Sequence, residues 1–190
     1  MIKEFIDFTH EIFPSISPYT AERAKEAITQ FNNLGFTVEY LTKTPFDYIC
    51  QGDVFDKVPF EKFSNDGKLT RAVLKAQVIN NTCDCERNPN LTFAAIYPIS
   101  DFPKNQADAI KTNITYQFMY LPDKRLEDYV IDFNQLTTLP RDLFIKAIDL
   151  NKISKIVSLS QIGFYFFISK LTVFFMRPED LSVNETRNYQ

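Results

Sequence analysis

Between residues 36 and 100 the apolar side chains recur with a period of two, in runs joined by very short turns, and nothing else in the chain constrains its fold as strongly. Phe36-Thr37-Val38-Glu39-Tyr40-Leu41 alternates as a strand, and Pro45 separates it from Tyr48-Ile49-Cys50. Gln51-Gly52-Asp53 turns the chain into a run over 54–60. Asn65-Asp66-Gly67 is a strong reverse-turn signal and leads into a long run over 69–82. Arg87-Asn88-Pro89-Asn90 turns again, into LTFAAIYPIS over 91–100. A parallel connection needs about a dozen residues or more, so strands joined this closely run antiparallel. The expectation is a meander that curls into a small barrel.

Helical signals flank this region. Residues 2–13 form a short apolar-periodic segment stopped by Pro14, and Ser17-Pro18 supplies a cap and a first-turn proline. Ala21, Ala24, Ile28, Phe31 and Leu34 then mark the apolar side of an amphipathic helix. Beyond Pro103 the pattern predicts a polar helical insertion over 104–111, strands over 114–121 and 129–133, a helix over 139–152, a short strand or connector over 155–159, and an apolar helix over 160–176. The reading divides the chain into a helical extension (1–35), a β-barrel core with short helical insertions (36–159), and an apolar helix with its tail (160–190).

Composition narrows the class. Apolar residues make up 45% and aromatic residues 15%, which is the make-up of a folded protein. Nineteen Phe and no Trp predict a core filled by rings that need no buried polar partner. A formal charge of −3 excludes a general attraction to polyanions, so nucleic-acid binding would require a local basic patch. Three cysteines, an odd number, fit a reducing compartment and a cytoplasmic setting. The first residues, MIKEFIDFTHEIFPS, lack a basic stretch followed by an apolar signal core, so the four Asn-X-Thr triplets read as chance matches. Residues 162–176 are strongly apolar but hold Lys170, whereas a spanning helix needs about 20 clean residues, so no membrane span is expected.

No cluster completes a catalytic set. The densest polar run is Asn80-Asn81-Thr82-Cys83-Asp84-Cys85-Glu86-Arg87; on a strand it would turn Cys83 and Cys85 to one side and Asp84 to the other. That pair lacks C-x-x-C spacing, and nothing in the positions of Cys50 and His10 favours them as completing a zinc site. Cysteine or serine nucleophiles would depend on His10, the only imidazole. Asp53, Asp84, Asp132 and Asp180 would have to converge to hold a magnesium ion; otherwise Asp53 and Asp84 cap turns. Neither a metal nor a cofactor is expected. Lys57, Lys62, Lys68, Arg71, Lys75 and Arg87 lie among Phe55, Phe60 and Phe63, a pattern that can hold single-stranded nucleic acid, although interleaved acids weaken its field. Asp53, Thr82, Cys83, Asp84 and Arg87 form the candidate binding set.

Gln51-Gly52-Asp53-Val54-Phe55, Val58-Pro59-Phe60, Arg71-Ala72-Val73-Leu74, Val78-Ile79-Asn80 and Ala94-Ala95-Ile96-Tyr97-Pro98-Ile99-Ser100 follow one another in an order that resembles the core of MazF/PemK-like proteins. The resemblance covers residues 50–135. It implies an α+β chain built on a small antiparallel SH3-like β-barrel with N-terminal and C-terminal helical extensions. The chain is also similar to a bacterial group in which a strand ends in a Cys-Asp pair, here Cys83-Asp84, and a Ser-Leu-Ser-like element, here Ser158-Leu159-Ser160, precedes a terminal helix. The family's toxins cut single-stranded RNA without a metal. By resemblance Arg71 takes the place of their Arg, though Ala72 follows it where the family has Pro, and Ser100 takes the hydroxyl position. The leading expectation is a binding or regulatory module of a bacterial or phage conflict system. It would act through protein–protein contact, as a homodimer or with a protein partner on the helical extensions. The alternative is a metal-independent endoribonuclease using Arg71 and Ser100.

Overall fold

The runs on either side of Asn65-Asp66-Gly67 pair as expected, and Gly67 takes the positive φ of 78° that such a turn requires of one residue. The structure is a computed structural model that describes residues 39–64 and 66–176, with Val183 and Thr186 near the end. The helices expected over 2–13 and 21–34, and the start of the strand at 36, lie outside the described residues. The elements are β1 (Val54–Phe63), β2 (Leu69–Val78), α1 (Thr82–Arg87), β3 (Asn90–Pro98), α2 (Lys104–Lys111), β4 (Phe118–Tyr120), β5 (Tyr129–Pro140), α3 (Arg141–Asp149), β6 (Lys155–Val157) and α4 (Gln161–Met176). A single 3-10 turn, Ile99–Asp101, separates β3 from α2.

All six strands join one antiparallel sheet in the order β4-β5-β3-β2-β1-β6. The sheet is open. Its outer strands, β4 and β6, are three residues long each and do not pair with one another, so the expected SH3-like barrel is not formed. The reason is that both faces are buried. Phe55, Phe60, Leu91, Phe93 and Ala95 pack on one side with Phe144 of α3 and Cys85 of α1. Val54, Ala94, Ile96, Ile131 and Phe133 pack on the other with Phe166 and Phe167 of α4. A small barrel turns one face inward onto itself, whereas here a helix covers each face and closure has no face left to bury. The run LTFAAIYP, apolar at successive positions, is the trace of this two-sided burial in the sequence.

Local differences from expectation have local causes. The strand predicted over 69–82 ends at Val78, because the Asn81 side chain accepts the Cys83 N–H at 3.0 Å and caps a short helix, α1. Leu41 makes only an isolated bridge to Leu159, and Tyr48-Ile49-Cys50 is not a strand. Residues 114–117 are irregular before β4, whereas β5 runs seven residues past the predicted end at Phe133. The insertion over 104–111 is helical as expected, and α3 and α4 fall within their predicted spans.

Candidate binding surface

Asp53 leaves the turn before β1 with its carboxylate wholly buried, and the chain surrounds it with donors. Oδ2 lies 2.7 Å from the Lys155 ammonium and accepts the Cys50 N–H at 3.0 Å, while Oδ1 accepts the Cys50 thiol at 3.1 Å. Lys155 reaches this point from β6 and also donates to the Phe46 and Tyr48 carbonyls. Burial, with the Asp53 hydrogen bond next, pushes the Cys50 thiol up to about 12, and burial with the Asp53 charge pushes Cys85 up to about 11. Both are neutral thiols and poor nucleophiles. The carboxylate is closed to solvent, and the node holds β1, β6 and the 46–50 segment together.

The other sequence-predicted residues lie apart from Asp53. Thr82 is tied to the same turn, its hydroxyl accepting the Gln51 N–H at 3.1 Å. Cys83, Asp84 and Arg87 are exposed on α1, and Cys85 is buried on the opposite side, so helical rather than strand geometry separates the two thiols. Arg71 stands exposed near the start of β2, with Nε 3.0 Å from Glu61 Oε1. Ser100 sits in the 3-10 turn after β3, and the structure records no contact that joins it to Arg71. Among the described residues no group of three His, Cys, Asp or Glu side chains is placed to hold a metal ion; His10 and Asp180 lie outside them. The basic residues near the hairpin are partly engaged, since Lys68 pairs with Asp66, Arg71 pairs with Glu61 and Lys75 lies over the Tyr129 ring. No helix among the described residues is long and apolar enough to cross a membrane.

Two surface features emerge instead. The first is a ribbon. β2 pairs with β3 only over residues 75–78, and β1 pairs with β6 only at Val54 and Phe55, so residues 58–63 and 69–74 extend beyond the sheet as a two-strand hairpin. On one side of it Pro59 stands opposite Val73, Glu61 opposite Arg71, and Phe63 opposite Leu69. That side is open, with Phe63 74%, Val73 65% and Leu69 57% exposed.

The second feature is a cleft of about 610 Å³, walled by Glu61, Lys62 and Phe63 of the ribbon, Tyr97, Asp101, Phe102, Asp132 and Gln135. A register shift in β5 creates its floor. Ala95 faces Asp132 but Ala94 faces Leu136, which leaves residues 133–135 outside the ladder with β3. Asp132 is half-buried there. Burial raises its carboxyl above the usual range, offset in part by the Asn134 N–H that it accepts at 2.9 Å. Tyr97 donates to Gln135 Oε1 at 3.3 Å, and its phenol is raised first by burial and then by the Asp132 and Asp101 charges. Sequence reasoning singled out Asp132 only as one of four carboxylates and passed over Tyr97, Asp101, Phe102 and Gln135. The signal available was a charge in the strand run YVIDF; the register shift that aims it has no local signature.

No protein-family model matches the chain, and no curated protein is similar to it in sequence. With the open sheet, this overturns the resemblance to MazF/PemK-like proteins and to the bacterial group with a Cys-Asp strand end.

Proposed function

We propose that the chain is a binding module that acts through protein–protein contact, and that the contact is made by the exposed side and outer edge of the β1–β2 ribbon with a second copy of the chain. The observation that carries this reading is the ribbon's unequal pair of edges. The β1 edge is blunted by a bulge at Asp56 and Lys57, where Lys57 takes a φ of 55°, and by Pro59. The β2 edge over residues 69–74 has neither bulge nor proline, and no strand among the described residues pairs with it. An antiparallel strand laid against its own copy is related to it by a two-fold axis, so such an edge is complementary to itself. The ribbon side adds apolar surface to this, two apolar pairs flanking Glu61 and Arg71, whose charges are already matched to each other.

The conflict-system setting came from the family resemblance, and nothing in the fold supports it, so the proposal is confined to the contact. Three unpaired cysteines, two of them buried, fit a cytoplasmic setting for it.

Sedimentation over a concentration series tests the reading, with Val73→Asp beside the natural chain. The expected result is a reversible dimer that Val73→Asp weakens by about tenfold or more, roughly 1.4 kcal/mol, with an unchanged circular-dichroism spectrum because Val73 is exposed. A monomer at every concentration overturns it. So does a monomer whose outward-facing amides over 69–74, those not bonded to β1, resist hydrogen exchange, which would put another segment of the same chain on the edge.

A further inference from the structure

We propose that the cleft between the ribbon tip and the register shift of β5 binds an organic cation, a primary ammonium or guanidinium group carried on an aliphatic chain. Its volume of about 610 Å³ falls within the roughly 300–1,000 Å³ typical of small-ligand sites. The charges that line it are Glu61, Asp101, Asp132 and Lys62. Glu61 already holds Arg71, but Asp101 and Asp132 have no ion-pair partner among the described residues. Asp132 is the telling group. A carboxylate partly removed from water on an inner strand is stabilised by a cation brought to it, and the one cation that lines the cleft, Lys62, forms no ion pair with it. Tyr97, Phe63 and Phe102 supply ring surface beside the carboxylates, the combination that attracts an alkylammonium or guanidinium group. The acids are too spread to make a metal site among the described residues, which suits an extended cation with more than one charge or a charged head on an apolar stem.

The two sources of such a cation are a free aliphatic polyamine and a lysine or arginine side chain of another protein. Calorimetric titration with spermidine and, separately, with a lysine-rich hexapeptide distinguishes them. Binding of either supports the site, and the probe that binds names the source. Asp101→Asn together with Asp132→Asn is expected to weaken binding by about tenfold or more, while Asp149→Asn on the far end of α3 leaves it unchanged. Asn at position 132 still offers an oxygen to the Asn134 N–H, and Asp101 is exposed, so the variants retain the fold. Affinity also falls as acid protonates Asp132, at a pH above that of an ordinary aspartate. Binding of neither probe overturns the proposal, as does equal loss in Asp149→Asn, which would mark a general attraction to a chain of charge −3. Because the Asp101 and Asp132 variants leave residues 69–74 untouched, failure here is separate from failure of the ribbon contact.

Discussion

Asp53 is a turn residue in the sequence and the centre of a buried ion pair in the fold. Its ammonium partner, Lys155, is 13% exposed, and the carboxylate itself has no water to fall back on. Replacing a buried pair by neutral groups is often harmless, whereas removing one member strands the other, at about 3–5 kcal/mol. Asp53→Ala is therefore expected to lose about 3–5 kcal/mol in urea unfolding, and Asp53→Asn combined with Lys155→Met to recover most of it. If the double variant is as unstable as Asp53→Ala, packing rather than charge holds this node. The turn role of Asp53 was legible because Gln51-Gly52-Asp53 is a local pattern. Its partner was not, because ion pairing between residues a hundred positions apart leaves no periodic trace. For the same reason Asp132 was visible as a charge in a strand, but the cleft that it floors was not.

At the scale of elements, the long strands and α4 were legible because each repeats its pattern over many residues, while α1, six residues long, was hidden inside a predicted strand. The docking of α4 shows what periodicity omits. Ser160 caps it, donating its backbone N–H to the Tyr40 carbonyl at 2.9 Å and accepting the Gly163 N–H on its hydroxyl at 3.1 Å. Gly163 lies so close to Tyr40 that an added Cβ would run into its backbone carbonyl. In an exposed helix, Gly to Ala gains about 1 kcal/mol. Here the neighbour is backbone and cannot rotate away, so overpacking of about 1–3 kcal/mol outweighs that gain. Gly163→Ala is expected to lower the melting midpoint and to speed amide exchange in α4 and residues 39–41. A raised midpoint would mean that the helix rests less firmly on Tyr40 than its position indicates. From the sequence alone, a glycine in IGFYFFISK reads as a weak point in the helix instead of the point of closest contact.

For the whole molecule, the antiparallel sense of the strands was accessible from turn lengths, but their number and the closure of the sheet were not. Closure depends on whether the second face finds a cover, and that cover, α4, lies sixty residues beyond β3. Covering both faces also buries titratable groups, and their balance sets how the fold answers to alkali. Cys50, Cys85 and Tyr40 are held at about 12, 11 and 12 in the folded chain against ordinary values of 9.0, 9.0 and 10.0, so above pH 9 the unfolded chain releases protons that the folded chain keeps, and stability falls. Lys170 acts in the opposite sense. Its ammonium on α4 donates to the Asn113 and Thr115 carbonyls at 3.0 and 2.6 Å, and burial lowers it from 10.5 to about 8. Between pH 8 and 10.5 the unfolded chain is therefore the one that holds the extra proton at this site, and raising the pH relieves the folded state. Between pH 8 and 9 Lys170 acts alone and stability rises; above pH 9 the thiols, joined near pH 10 by the Tyr40, Tyr97 and Tyr120 phenols, turn the balance to a net loss that Lys170 makes shallower. Urea midpoints measured under reducing conditions from pH 7 to 10.5 should rise between pH 8 and 9 and fall above that in the natural chain, whereas Lys170→Met should show only the fall, and a steeper one. Parallel profiles would mean that the ammonium keeps its ordinary proton affinity, and that α4 leaves water around it despite the two carbonyls that it bonds.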